Sequence, residues 1–199
     1  ATPYHARIKE AKLKPSDTVL VVGAAGGVGI HMIQMASLCG ARVLAADLGQ
    51  VKMDFIQTIG ADLLIDAAKG SIAEQVMSAT NGIGVDAVID IVGSKNSLEQ
   101  SLASLAVGGR LVIVGSSPAG VYQKDPSFLV DPQRLLHRGL EIHAARYVTL
   151  AEIGRTLELI RDKKIKPIVT QTVSLAEIPA LHQAIRNGQT LGRVGMIMT

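Results

Sequence analysis

The feature that constrains this chain most is one junction. Thr18-Val-Leu-Val-Val22 runs directly into Gly23-Ala-Ala-Gly26-Gly27-Val28-Gly29. A short β-branched apolar run suits a strand buried on both faces of a parallel sheet. The glycines break it, and a helix to about Leu38 is predicted behind them. Val28, Met32, Met35 and Cys39 share one face of that helix, and Gly40 ends it. A glycine turn between strand and helix lets a diphosphate approach the backbone, at a helix end that carries partial positive charge. Ala24 stands where a plain G-x-G-x-x-G would begin. The plainer alternative is a tight turn with no ligand, but the strand–loop–helix context favours a ligand.

The alternation then repeats. Strands are predicted at 43–46, 63–65, 85–92, 110–114 and 140–144. Helices are predicted at 51–59, 72–79, 98–105 and 151–161, with a long polar loop from Ser116 to about Asp131. Strands alternating with helices of this length mean βαβ units. Right-handed crossovers make them a Rossmann fold, a doubly wound six-stranded parallel sheet with helices on both faces. After Lys166-Pro167 the rhythm changes to a strand (168–173), a helix (177–185) and a strand (194–198). Two parts are therefore expected: a dinucleotide-binding domain over residues 1–166 and a tail over 167–199.

Asp47 ends the second predicted strand, about 20 residues past the glycine turn, where a carboxylate can bond the adenosine ribose hydroxyls. It also repels a 2′-phosphate, and Leu48-Gly49 offers no arginine to receive one. That argues for NAD(H) over NADP(H); the alternative is a solvated loop aspartate. Lys52 is in reach of the same ribose, although surface lysines at helix starts are common. Ile91-Val92-Gly93 and Val114-Gly115-Ser116 end two further strands. Apolar residues followed by glycine suit a flat nicotinamide ring, and they serve an ordinary strand-to-loop turn equally well.

Other groups point elsewhere or nowhere. Asp86 and Asp90 share a strand face near no obvious partner. The five histidines lack metal spacing and read as surface or satisfied groups, and Cys39 reads as a small core residue. One cysteine excludes an internal disulfide and a cysteine-built zinc cluster, and a reducing, cytoplasmic setting is expected. The 20 basic residues are scattered, with 3% aromatics, so nucleic acid is not expected as a partner. No apolar run is long enough for a membrane span. The start, Ala1-Thr2-Pro3-Tyr4, reads as a cut inside a longer protein.

Taken together, several segments resemble the medium-chain dehydrogenase/reductase superfamily, whose best-known branch is the zinc-type alcohol dehydrogenases. They are Thr2-x-Tyr4, Lys14-Pro-x-Asp-Thr-Val through Gly29, Gly40-Ala-Arg-Val to Asp47, Gly60-Ala-Asp62, Gly84-Val-Asp to Asp90, Gly108-Gly-Arg to Gly115, and Gly192-Arg193. The resemblance implies that Gly26, Gly27 and Val28 hold a pyrophosphate and that Asp47 and Lys52 hold the adenosine ribose. It implies that Ile91, Val114 and Ser116 line the nicotinamide side, with Thr2 beside the ring and Arg193 on a cofactor phosphate. It further implies a GroES-like catalytic domain, to which the tail returns, and a homo-oligomeric parent. Any zinc of that parent would be bound outside this chain, as would most of the substrate pocket.

The expected function is the cofactor-binding portion of an NAD(H)-dependent alcohol dehydrogenase-like oxidoreductase acting on an alcohol/carbonyl pair, inactive on its own. Two alternatives stay open. One is a zinc-free quinone or enoyl reductase of the same superfamily; the other is a non-catalytic NAD(H)-binding module. A methyltransferase shares the sheet and an acidic residue after its second strand, but Arg193 and the tail do not fit it.

Overall fold

The computed structural model describes residues 1–115 and 127–198. Its main sheet contains β1 (Thr18–Val22), β2 (Arg42–Asp47), β3 (Leu63–Asp66), β4 (Val85–Asp90), β5 (Leu105–Ile113) and β6 (Glu141–Ala144). All neighbours are parallel, in the order β3-β2-β1-β4-β5-β6. The order reverses between β1 and β4, so the loops leaving those two strands diverge and open a crevice at their carboxyl ends.

The unbroken apolar runs are explained by two cores. Val19, Val21, Val43, Ala45 and Ile89 face one layer of helices, while Leu20, Val22, Leu44, Ala46 and Val88 face another. The first layer includes α2 (Gly29–Leu38) and α3 (Gln50–Ile59), which bury Met32, Ile33, Met53 and Ile56. The second includes α4 (Ile72–Ala79) and α5 (Lys95–Ala103), which bury Ile72, Val76, Leu98 and Leu102. Alternate strand residues point to opposite faces, so a strand covered on both sides must be apolar throughout.

The structure departs from expectation in several places: the strand predicted at 85–92 ends at Asp90, and the one predicted at 168–173 is found at Gln171–Ser174. The helix predicted at 98–105 starts earlier, because Ser94 and Ser97 form a reciprocal cap. It stops at Ala103, and β5 begins at Leu105 rather than Arg110. There Val85 N–H donates to Ser104 O (2.9 Å), and the β4–β5 register shifts between Val85 and Ala87. The N-terminal segment is helical: α1 (Thr2–His5) passes into a π-helical turn, Ala6–Glu10. Finally, α6 (Pro132–Arg138) follows Asp131, whose carboxylate caps Gln133 N–H, and it ends at Gly139 with φ 59°. α7 (Leu150–Arg161) lies close to its predicted bounds.

The tail carries β7 (Gln171–Ser174), α8 (Ile178–Arg186) and β8 (Val194–Ile197), with β7 and β8 in a two-stranded parallel sheet. Where the chain leaves the main domain, the Gln34 carboxamide clamps Lys166. It donates to Lys166 O (3.1 Å) and accepts from Lys166 N–H (2.8 Å). The tail also touches the glycine turn directly. Gly192 N–H donates to Ala25 O (2.7 Å), and Gly26 and Gly192 form a parallel bridge. Among the described residues, no helix is long and apolar enough to cross a membrane.

Candidate functional site

β1 stops at Val22 because Gly23 adopts φ 81°, a conformation other residues rarely hold. The N–H groups of Gly23 and Ala24 both donate to Ala46 O, which ties the turn to β2. At the first residue of α2, a Cβ on Gly29 would overlap Gly23 O and stand 2.5 Å from Ala24 O. Glycine there lets the helix start directly above the strand end. Val28 is the N-cap and supplies no side-chain hydrogen bond. The start of α2 therefore lacks the oxygen that Ser71, Ser94, Asp131 and Thr149 supply at other helices, and its positive end is available to an anion.

Arg193 reaches this point from the tail. A Cβ on Gly27 would lie 2.7 Å from Arg193 Nε and 2.8 Å from Cδ. Gly27 thus lets the guanidinium lie against the turn. Among the described residues that guanidinium makes no hydrogen bond or salt bridge. A cationic side chain beside an uncapped helix start is an arrangement suited to an anion.

Asp47 closes β2 with both carboxylate oxygens engaged. Oδ1 accepts from Lys52 Nζ (2.8 Å) and Leu48 N–H (2.9 Å), and Oδ2 accepts from Ala25 N–H (2.9 Å). The following loop is held by Asp66. Hydrogen bonds from the Gly49 and Ala68 N–H groups, with help from nearby Lys69, keep its carboxyl below the usual range.

These pieces surround one cleft of about 550 Å³. Of the expected residues, Gly26, Gly27, Val28, Asp47, Lys52, Ile91 and Arg193 line it. Val114 is half-buried against the core, outside the lining, and its N–H donates to Asp90 O. Thr2 opens α1; its neighbours Ala1 and Pro3 line a smaller cavity of about 150 Å³ that shares Gly27 and Arg193 with the cleft. Ser116 lies outside the described residues, as does most of the predicted 116–131 loop.

Sequence reasoning missed the wall that the tail supplies. Leu181 and Ile185 of α8, with Thr190, complete the lining. Their spacing of four marks a helix face, but no local signal says that it meets the glycine turn. The aspartates need correction. Asp86 accepts from Thr18 N–H (2.7 Å), and Asp90 is buried with four donors on its carboxylate. The histidines fit the expectation. His5 and His143 pair with carboxylates and His31 bonds Gly27 O, while His137 and His182 are exposed. Among the described residues, no three His, Cys, Asp or Glu side chains are grouped to hold a metal ion.

Sheet order, switch-point crevice and glycine turn define a Rossmann domain. Within that class the chain belongs to the zinc-binding dehydrogenase family, whose model matches residues 27–162. It is 30% identical over 195 residues to the NAD-dependent alcohol dehydrogenase of Sulfurisphaera tokodaii, covering 96% of this chain and 53% of that one. It is 32% identical over 188 residues to the acryloyl-coenzyme A reductase of Metallosphaera sedula, covering 94% and 52%. The crystal structure of the alcohol dehydrogenase from Aeropyrum pernix superposes with a TM-score of 0.89 at 28% identity, covering 99% of this chain and 55% of that one. The chain thus spans about half the length of the curated relatives it matches.

Proposed function

We propose that this chain is the cofactor-binding portion of an NAD(H)-dependent, alcohol dehydrogenase-like oxidoreductase. The observation that carries the reading is the single cleft joining Arg193, the uncapped start of α2 and Asp47. Arg193 lies in the space that the bare Gly27 leaves beside the uncapped start of α2, so a cation and free N–H groups meet in one cleft and the residues present fit a dinucleotide. When bound, the nicotinamide supplies the hydride chemistry between alcohol and carbonyl. The start of α2 at Gly26, Gly27 and Val28, together with Arg193, holds the pyrophosphate. Asp47 exchanges its bond to Ala25 or Lys52 for the ribose hydroxyls, and Lys52 donates to the same sugar. Ile91 lies under the nicotinamide, with Val114, Ser116 and Thr2 assigned to that side by resemblance. Residues 1–166 form the cofactor domain, and the 167–199 tail returns to a catalytic domain that supplies the substrate pocket and any zinc.

A second reading, a zinc-free reductase of activated alkenes, is favoured by the likeness to an acryloyl-coenzyme A reductase. Cysteine and histidine ligands in a preceding catalytic domain would decide for the first reading, and their absence for the second.

The test is titration of the chain with NADH and NADPH. NADH binds at least about tenfold more tightly, since a carboxylate facing a 2′-phosphate costs more than 1.4 kcal/mol. The double variant Asp47→Gly/Leu48→Arg shifts preference toward NADPH, and the chain alone oxidises neither ethanol nor benzyl alcohol. Equal or reversed affinities in the unaltered chain overturn the NAD(H) assignment.

A further inference from the structure

Asp90 closes β4 beneath the cleft, and its carboxylate is fully buried. Oδ1 accepts from Val92 N–H (2.9 Å), Gly93 N–H (2.8 Å) and the Ser97 hydroxyl (3.2 Å). Oδ2 accepts from the Ser101 hydroxyl (2.9 Å). Its main-chain oxygen accepts from Val114 N–H (2.8 Å) and Gly115 N–H (3.1 Å). One residue therefore ties the ends of β4 and β5 to α5.

Ile91 and Val92 sit between these anchors. Ile91 N–H donates to Val22 O (3.0 Å), and a Cβ on Gly115 would overlap Ile91 O. Val92 Cγ2 lies 3.0 Å from where a Cβ on Gly23 would stand. The pair forms a short shelf, fixed by β1, by β5 and by the Asp90 carboxylate, and it lines the cleft. An apolar side chain of similar volume would fill the space under the shelf without requiring four donors. What it could not do is hold the Val92 and Gly93 N–H groups at one height.

We propose that Asp90 is a positioning residue for the nicotinamide half of the dinucleotide, setting the height of the Ile91–Val92 shelf on which the ring rests. The inference rests on the dinucleotide reading above. The chain is titrated with NADH and with ADP-ribose, which lacks the nicotinamide. Asp90→Ala raises the NADH Kd about tenfold and leaves ADP-ribose within about twofold. Asp90→Asn keeps the shape and the Oδ1 bonds and recovers most of the loss. Equal weakening of both ligands, or none, overturns the proposal. If circular dichroism shows Asp90→Ala unfolded, Ser101→Ala carries the test, with a selective loss of about threefold for NADH. A parallel or absent loss there overturns it as well. An unaltered chain that binds NADH no better than ADP-ribose refutes the shelf alone. One that binds neither refutes the dinucleotide reading, and the shelf with it.

Discussion

Replacing Gly27 by alanine separates folding from binding. Gly27 is not among the glycines with positive φ, so the backbone accepts alanine. At compatible positions this exchange stabilises by about 0.4–1 kcal/mol through the unfolded chain. The atoms nearest the new Cβ belong to Arg193, with Nε at 2.7 Å, Cδ at 2.8 Å and Cζ at 3.1 Å. They are the outer part of a long, exposed side chain, which swings aside at little cost. Stability therefore stays within about 1 kcal/mol of the parent chain. Binding does not. The guanidinium leaves the start of α2, and a hydrogen bond to a charged group contributes about 1.5–3 kcal/mol. That is a rise of about ten- to 150-fold in Kd. Urea unfolding followed by circular dichroism and NADH fluorescence titration, run on the same preparations, read the two quantities. An unchanged Kd would refute the role of Arg193 at the diphosphate. A loss of stability in proportion to affinity would mean that Gly27 serves packing.

Gly29→Ala behaves in the opposite way. Its Cβ meets the main chain of Gly23 and Ala24, which cannot swing away, so the variant loses about 1–3 kcal/mol or more in urea unfolding. A second expectation concerns acid. Glu152 is buried, and its carboxyl is pulled down to about 2, first by Thr149 N–H and then by His5. A carboxyl held lower in the folded state than in the unfolded one adds stability above its ordinary value of 4.5, and loses that contribution as pH falls toward 2. The stability gap between the parent chain and Glu152→Gln, open at pH 7, should close across that window. A gap that stays constant from pH 7 to 2.5 would contradict it.

The parts of the molecule legible in the sequence are those where local pattern and packing agree. Thr18–Val22 is a strand at its predicted bounds because both faces are covered from Val19 to Val22, where each position takes an apolar side chain. The α4 bounds hold for a similar reason, with Ser71 capping the start. α6 had its signals in plain view, an aspartate cap followed by proline at the first helical position, in a stretch between the predicted loop and the sixth strand with no predicted element. β5 begins early because a pairing with Val85 decides it, and such a contact leaves no trace in the residues around Leu105. The site divides likewise. The glycine turn and Asp47 are adjacent in topology and readable. Leu181, Ile185 and the hydrogen bonds of Asp90 depend on contacts made in three dimensions. Arg193 was reached by resemblance, since nothing in its own neighbourhood points to Gly27.

The bond from Gly192 N–H to Ala25 O also dictates an order of events during synthesis. β1 and the glycine turn leave the ribosome before the tail does, and β2 and β4 are free to assemble beside them as they follow. The cleft stays open on one side until the segment carrying Gly192 and Arg193 has cleared the exit tunnel. A nascent chain arrested before that point would hold a formed sheet with an unfinished anion site. Capture of an anion there would then come after the sheet has formed.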